Sequence, residues 1–255
     1  MLLADQRDRL DVILVSPRNP LNIGAAARAM VNFGFAHLTV AAPYAPNWRA
    51  ARSAVGAPEL LNSATEAATL AEAVAGCTLV AGTGTLTYRK PEQRVVTLPA
   101  LGPLIAQELA RGGRVGLVFG PEKHGLTRDD LSYCHILVEI PTDTQQPSMN
   151  LGQAVAVCLY ELASRGETGP QTSVGGSVTM PATANANSES LDRLAELVEE
   201  TMDAAGYSPR GMQPANRHDL RLLLRRLAPS AADTRRMLGL FRRILWRLRR
   251  RPHSE

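Results

Sequence analysis

The stretch DVILVSPRNPLNIGAAARAM, residues 11–30, decides the fold. It opens with a β-branched apolar run, turns through Pro17, Asn19 and Pro20, and continues with Ile23, Ala27, Met30 and Val31 at helical spacing. That pattern reads as a strand, a tight turn and a helix. RVGLVFGPEKHGLT (114–127) and HILVEIPTDTQQPSMNLGQA (135–154) follow the same grammar, and HLTVAA (37–42) and CTLVAG (77–82) add two more short apolar runs. Five strands are therefore expected, with helices over 22–34, 64–75, 99–111 and 150–165. Asn22 is expected to cap the first helix, Ser63 or Thr65 to open the second, and Ser148 or Asn150 to cap the last. Thr127 is placed to cap a short helix through Asp130 and Leu131. Strands alternating with helices predict an α/β domain with a parallel sheet. In such sheets the turns after the strands form the ligand-binding edge.

A chain of 255 residues, 45% of them apolar, has room for one large domain and a smaller one. The opening residues MLLADQRDRLD are too charged for a signal peptide, and no run approaches the ~18 apolar residues that span a bilayer. The expected protein is cytoplasmic, with no membrane partner. Cys77, Cys134 and Cys158 are odd in number and set in apolar surroundings, as suits reduced, buried thiols. The five histidines show no ligand spacing, so no metal is expected.

Charge is unevenly spread. Residues 206–255 hold thirteen arginines against three acidic residues, a balance of +10, whereas residues 1–205 sum to −6. A basic tail of this density suits a polyphosphate partner such as a nucleic acid, although a solvated helix face would also carry it. From Gly166 to about Ser190 the composition shifts to Gly, Ser, Thr, Pro, Ala and Asn without apolar periodicity, as in a flexible linker. Beyond it, 191–205, 216–228 and 231–251 are amphipathic helical patterns. The expected organisation is a domain over 1–165, a linker over 166–190 and a basic helical extension over 191–255.

The turns narrow the chemistry. GxGxxG is missing after the first strand and GxxxxGK[ST] is missing throughout, which argues against a dinucleotide fold and a phosphate-cradling NTPase. What stands there instead is Asn22-x-Gly24-x-x-x-Arg28, then Gly120-Pro121-Glu122-Lys123-His124-Gly125-Leu126, then Pro147-Ser148-Met149-Asn150-Leu151. Taken singly, each has a plain structural explanation: Arg28 as an exposed helix arginine, Glu122 as a loop-fixing carboxylate, His124 as an exposed loop residue, Ser148 and Asn150 as caps.

In this order and at these distances the three motifs, over residues 11–163, resemble the SPOUT superfamily of RNA methyltransferases. Within it they resemble the branch that methylates ribose 2′-hydroxyls, and there the TrmJ type. The resemblance implies a carboxyl-terminal deep trefoil knot, S-adenosylmethionine as methyl donor, and a homodimer whose active site borrows residues across the interface. It places cofactor contacts at Thr83, Gly84, Thr85, Gly120, Ile140, Pro147, Ser148 and Met149. It gives the catalytic role to Arg28, supported by Asn22, Glu122 and Asn150, with Arg89 as a phosphate contact. Carried to specificity, it implies tRNA, methylated on cytidine or uridine at nucleotide 32 of the anticodon loop. Another tRNA nucleotide or ribosomal RNA is the alternative target, and a non-catalytic RNA-binding protein of the same fold is the alternative class.

Overall fold

The structure is a computed structural model that describes residues 2–44, 48–51, 53–84, 91–164, 184–207 and 213–250. In chain order the elements are α1 (Ala4–Arg7), β1 (Leu10–Val15), α2 (Pro20–Phe33), β2 (His37–Ala41), a 3₁₀ turn (Trp48–Ala50), α3 (Pro58–Ser63), β3 (Thr65–Ala67), α4 (Leu70–Val74), β4 (Leu79–Thr83) and β5 (Arg94–Thr97). There follow α5 (Leu98–Ala110), β6 (Val115–Phe119), α6 (Arg128–Ser132), β7 (Ile136–Glu139), α7 (Leu151–Ser164), α8 (Ser188–Ala204), α9 (Gln213–Leu227) and α10 (Ala231–Arg249). The strands form one sheet in the order β3-β2-β1-β6-β4-β7-β5. Every pairing in it is parallel.

All five expected strands form, within two residues of their expected ends. Two more, β3 and β5, close the edges of the sheet. The stretch 64–75 is thus not one helix. Thr65–Ala67 pairs with β2, and the helix starts only at Leu70, where the Thr69 side chain accepts from the Glu72 amide. An edge strand with Thr65 and Glu66 exposed has no apolar alternation to betray it. The first helix also begins earlier than expected. Pro20 occupies its first turn and Asn19 is the cap, accepting from Leu21 N, so Asn22 is released for another task.

Alternate strand residues feed two cores, as a period of two requires. Leu10, Val12 and Leu14 of β1 and Val115, Leu117 and Phe119 of β6 face α2, α5 and α7. Ile13, Val15 and Val118 face the other way, toward Leu70 and Val74 of α4 and Leu131 of α6. On the first side α2 and α7 pack closely: a Cβ at Gly152 would lie 2.7 Å from the Ala25 Cβ. The three cysteines are buried, and burial pushes each thiol up to about 12, so all stay protonated.

The helices α8 to α10 share their own small core, with Leu191, Leu194, Ala195 and Leu224 buried and Leu238 and Phe241 packed against them. This bundle docks on the α4 and α6 side of the sheet. Ser188 donates both its amide and its hydroxyl to the Cys77 carbonyl, at 2.9 and 3.1 Å. Arg225, 2% exposed, donates from Nε to the Tyr133 carbonyl at 2.9 Å and from Nη2 to Asp192 at 3.0 Å. Arg221 lies over the Tyr133 ring and pairs with Asp129 at 3.1 Å. Ser188 falls inside the stretch read as linker, of which residues 166–183 lie outside the described residues. No helix among the described residues is long and apolar enough to cross a membrane.

The α2–α7 contact gives a direct test of the packing. Gly152→Val should lower unfolding stability by about 2 kcal/mol through overpacking. Gly76→Ala, with nothing within 4 Å of the added carbon, should unfold near the wild-type midpoint. Urea titration of both variants reads the difference.

Candidate active site

β1, β6, β4 and β7 are neighbours in the sheet, so the turns that follow them share one edge. A cavity of about 260 Å³ opens beyond the carboxyl ends of β6, β4 and β7. Thr83 and Gly84 at the end of β4, Gly120 after β6, Ile140 after β7, and Pro147, Ser148 and Met149 ahead of α7 all line it, together with Glu122. Thr85 and Arg89 lie outside the described residues.

The loop after β6 is shaped by its glycines. A Cβ on Gly120 would collide with the Leu126 amide and the Gly125 carbonyl carbon, so the loop folds back onto its own start only because Gly120 has no side chain. Gly125 sits at φ 63°, in the left-handed region. Thr127 then caps α6, its side chain accepting from the Asp130 amide. The return brings Leu126 into the cavity wall with Phe119, and Leu151 adds a third apolar surface. The motifs did not mark these wall residues for a binding role, because apolar positions beside a turn look like ordinary core. Lys123 and His124 also reach the cavity. Thr83 is anchored by its hydroxyl, which donates to the Val118 carbonyl at 2.9 Å. The amides of Ser148 and Met149 have no hydrogen-bond partner among the described residues.

One hydrogen-bond chain joins the three motifs. Glu122 accepts from the backbone amides of Arg18 and Asn19, both at 3.0 Å, and from Asn22 Nδ2 at 2.9 Å. Asn22 Oδ1 in turn accepts from Asn150 Nδ2 at 2.9 Å. The other end of Asn150 caps α7, its Oδ1 accepting from Gly152 N at 2.9 Å and Gln153 N at 3.4 Å. Asn150 is therefore the cap and Ser148 is not. Burial pushes the Glu122 carboxyl up, but the bonds from Asn22, Arg18 and Asn19 outweigh it, and its pKa lies below the ordinary value of 4.5.

Arg28 stands apart. It projects from α2 into solvent, without a hydrogen-bond or ion-pair partner among the described residues, and is not part of the cavity wall. Its neighbours on the exposed stripe of α2 are Leu21 and Val31, 54% and 47% exposed. On the adjoining α7, Val157 and Tyr160 are also exposed, and Tyr160 meets Phe33 edge-on at 5.9 Å. Among the described residues no group of three or more His, Cys, Asp and Glu is placed to hold a metal.

On this frame of a parallel α/β sheet with three strand-end turns tied around a cavity, residues 9–160 match the SpoU rRNA Methylase family. The chain belongs to that family: an RNA methyltransferase, with S-adenosylmethionine as methyl donor, and of the TrmJ type within it. It is 34% identical over 249 residues to the tRNA (cytidine/uridine/adenosine-2′-O-)-methyltransferase TrmJ of Pseudomonas aeruginosa (strain UCBPP-PA14), covering 93% of each chain. It is 31% identical to the tRNA (cytidine/uridine-2′-O-)-methyltransferase TrmJ of Pectobacterium atrosepticum, covering 93% of this chain and 95% of that one. The crystal structure of TrmJ from Z. mobilis ZM4 superposes with a TM-score of 0.78 at 31% identity, over 92% of this chain and 98% of that one.

Removing Glu122 tests the hydrogen-bond chain. Glu122→Ala leaves three donors without their acceptor, and methyl transfer should fall about tenfold or more as the turns lose register. In the wild type the sign follows from the lowered pKa. The contribution of Glu122 is fully present above about pH 4.5 and is lost as pH falls through the folded-state value. Acid unfolding monitored by circular dichroism should therefore shift less with pH in Glu122→Gln than in the wild type.

Proposed function

We propose that the chain methylates the ribose 2′-hydroxyl of tRNA, acting as a cytoplasmic homodimer on cytidine or uridine at nucleotide 32 of the anticodon loop. The observation that carries this reading is the Glu122–Asn22–Asn150 chain, which holds all three methylase motifs at the rim of one cavity. Relatives that match nearly the whole chain are named for tRNA, with cytidine and uridine in common and adenosine added for the Pseudomonas enzyme. The family description names ribosomal RNA, which keeps that substrate as the second reading.

The cavity suits the cofactor. Its apolar walls at Phe119, Leu126 and Leu151 accept a ring system, and the free amides of Ser148 and Met149 offer donors to a heterocycle edge. Thr83, Gly84, Gly120, Ile140, Pro147, Ser148 and Met149 would hold S-adenosylmethionine. When bound, it supplies an electrophilic methyl group on a sulfonium centre. The chain must then place the ribose oxygen in line and manage its proton. Arg28 is assigned that task. A guanidinium with a pKa above ~12 is a poor base by itself, so Arg28 works with a neighbouring RNA phosphate or as a cation facing the developing alkoxide. Asn22, Glu122 and Asn150 set the turns.

A second copy accounts for the position of Arg28. Leu21 and Val31 of α2 with Val157 and Tyr160 of α7 make an apolar face, and covering it with the same face of another protomer brings Arg28 to a shared active site. The segment from β6 through α7, whose last helix packs back against α2, is the part assigned to the trefoil knot. The methyltransferase domain is read as 1–165, and the helical extension begins earlier than residue 191, since α8 starts at Ser188 and Asn185 already pairs with Ser230.

Labelled S-adenosylmethionine with unmodified tRNA and ribosomal RNA, followed by nucleoside mapping, tests the assignment. Label in 2′-O-methylcytidine or 2′-O-methyluridine at nucleotide 32 is the expected result; label only in ribosomal RNA would reject tRNA as substrate. Arg28→Ala should reduce transfer at least 100-fold while calorimetry finds cofactor affinity within about threefold of wild type. Loss of both would make Arg28 a structural residue.

A further inference from the structure

The last two turns of α10 carry a side-chain arrangement that neither the cavity nor the docking of the extension uses. One side of this helix is committed inward, where Leu238 and Phe241 pack on the core shared with α8 and α9 and Leu245 is buried. Trp246 faces outward and is 39% exposed, whereas the other tryptophan of the chain, Trp48, is fully buried. Three guanidinium groups gather on the Trp246 ring. Arg243, one turn before it, lies 4.4 Å from the ring centroid; Arg250, one turn after it, lies at 4.2 Å; Arg247 is at 5.9 Å.

These arginines differ from the paired ones of the extension and, by lying on an aromatic ring, from Arg226, Arg235 and Arg242, which are likewise unpaired among the described residues. Arg217, Arg221, Arg225 and Arg249 are paired with Glu199, Asp129, Asp192 and Glu200. The side chains of Arg243, Arg247 and Arg250 have no carboxylate and no hydrogen-bond acceptor among the described residues. Three like charges held around one aromatic ring repel each other; attraction to the ring face offsets part of that repulsion, and no carboxylate among the described residues pairs with them. The arrangement instead presets two things an external anion needs. Stacking on the indole limits the rotamers of long, flexible arginines, and it leaves their N–H donors unspent.

We propose that Trp246, with Arg243 and Arg250, is a stacking platform for an unpaired nucleobase of the RNA substrate, the arginines taking the phosphates on either side. The proposal rests on the reading of the chain as an RNA methyltransferase and adds where the extension grips the RNA. A cation cluster without an aromatic would suit phosphates alone, and an exposed aromatic without cations would suit a protein surface. The combination fits a base and its backbone together, since every base has a π-face and every nucleotide a charge. A duplex hides those faces, so the partner is a loop or single-stranded end.

Because Trp246 is the exposed tryptophan, its fluorescence reports the contact directly. The full-length protein, without S-adenosylmethionine, would be titrated with a tRNA transcript, a single-stranded RNA oligonucleotide, and a blunt RNA duplex of the same length. Quenching by the first two and much less by the duplex is expected. Trp246→Ala should weaken tRNA binding about tenfold, and Trp246→Phe should stay within about threefold of wild type. The double variant Arg243→Gln/Arg250→Gln should reduce the slope of log K against log salt by about 1 to 2. The proposal is overturned by wild-type affinity in Trp246→Ala, by absent quenching, or by equal quenching from the duplex. It is also overturned if sedimentation shows that Trp246→Ala separates the dimer, which would make this face a contact between copies. Since binding is read without cofactor, a wild-type protein that transfers no methyl group would sink the proposed function and leave this result standing.

Discussion

Everything at the functional edge depends on one carboxylate. Glu122 sits on a turn after β6 and collects two backbone amides from the turn after β1 and one side-chain amide from the first turn of α2. Those donors lie at the entry to α2, where the unpaired amides of a helix start favour negative charge. Asn22 passes the connection on to Asn150, and Asn150 caps α7. A parallel sheet sets its strand ends side by side but leaves the turns beyond them free to move. This short chain of bonds removes that freedom, and so defines a cavity rather than a frayed rim.

The two faces of the sheet have separate duties. On one, small residues let α2 and α7 come close, with Gly152 against Ala25, and this pair presents both the apolar outer face and Arg28. On the other, the extension is held by Arg225, whose burial is partly offset by bonds from Nε to the Tyr133 carbonyl and from Nη2 to Asp192, while Nη1 is buried without a partner. Arg221 adds a contact to α6, the helix that directly follows the cavity loop. The basic helices are thereby fixed relative to the site, which gives their unpaired arginines a defined place at which to meet an anionic partner.

Local signals explain what was legible. The strands at the centre of the sheet are apolar on both sides and bounded by turn residues, so β1, β2, β4, β6 and β7 could be read directly. The edges could not: Thr65–Ala67 and Arg94–Thr97 are short and largely exposed, and they become strands only because β2 and β7 offer them ladders. Asn22 was misread for a related reason. A cap is a plausible use of asparagine ahead of a helix, and only Glu122, a hundred residues away, shows that it is spent elsewhere.

By itself, the sequence determined the parallel α/β class, the basic extension, and the three motifs that carry the family resemblance, because periodicity, turn chemistry and charge are written over windows of a few residues. Tertiary structure decided which motif residues meet. It made Glu122 a tie between turns, Asn150 a cap, and Phe119 and Leu126 cavity walls, and it left Arg28 outside the cavity of its own chain. The tie through Glu122 joins residues about a hundred positions apart, whose closeness is set by strand order and helix packing. No local pattern encodes that order.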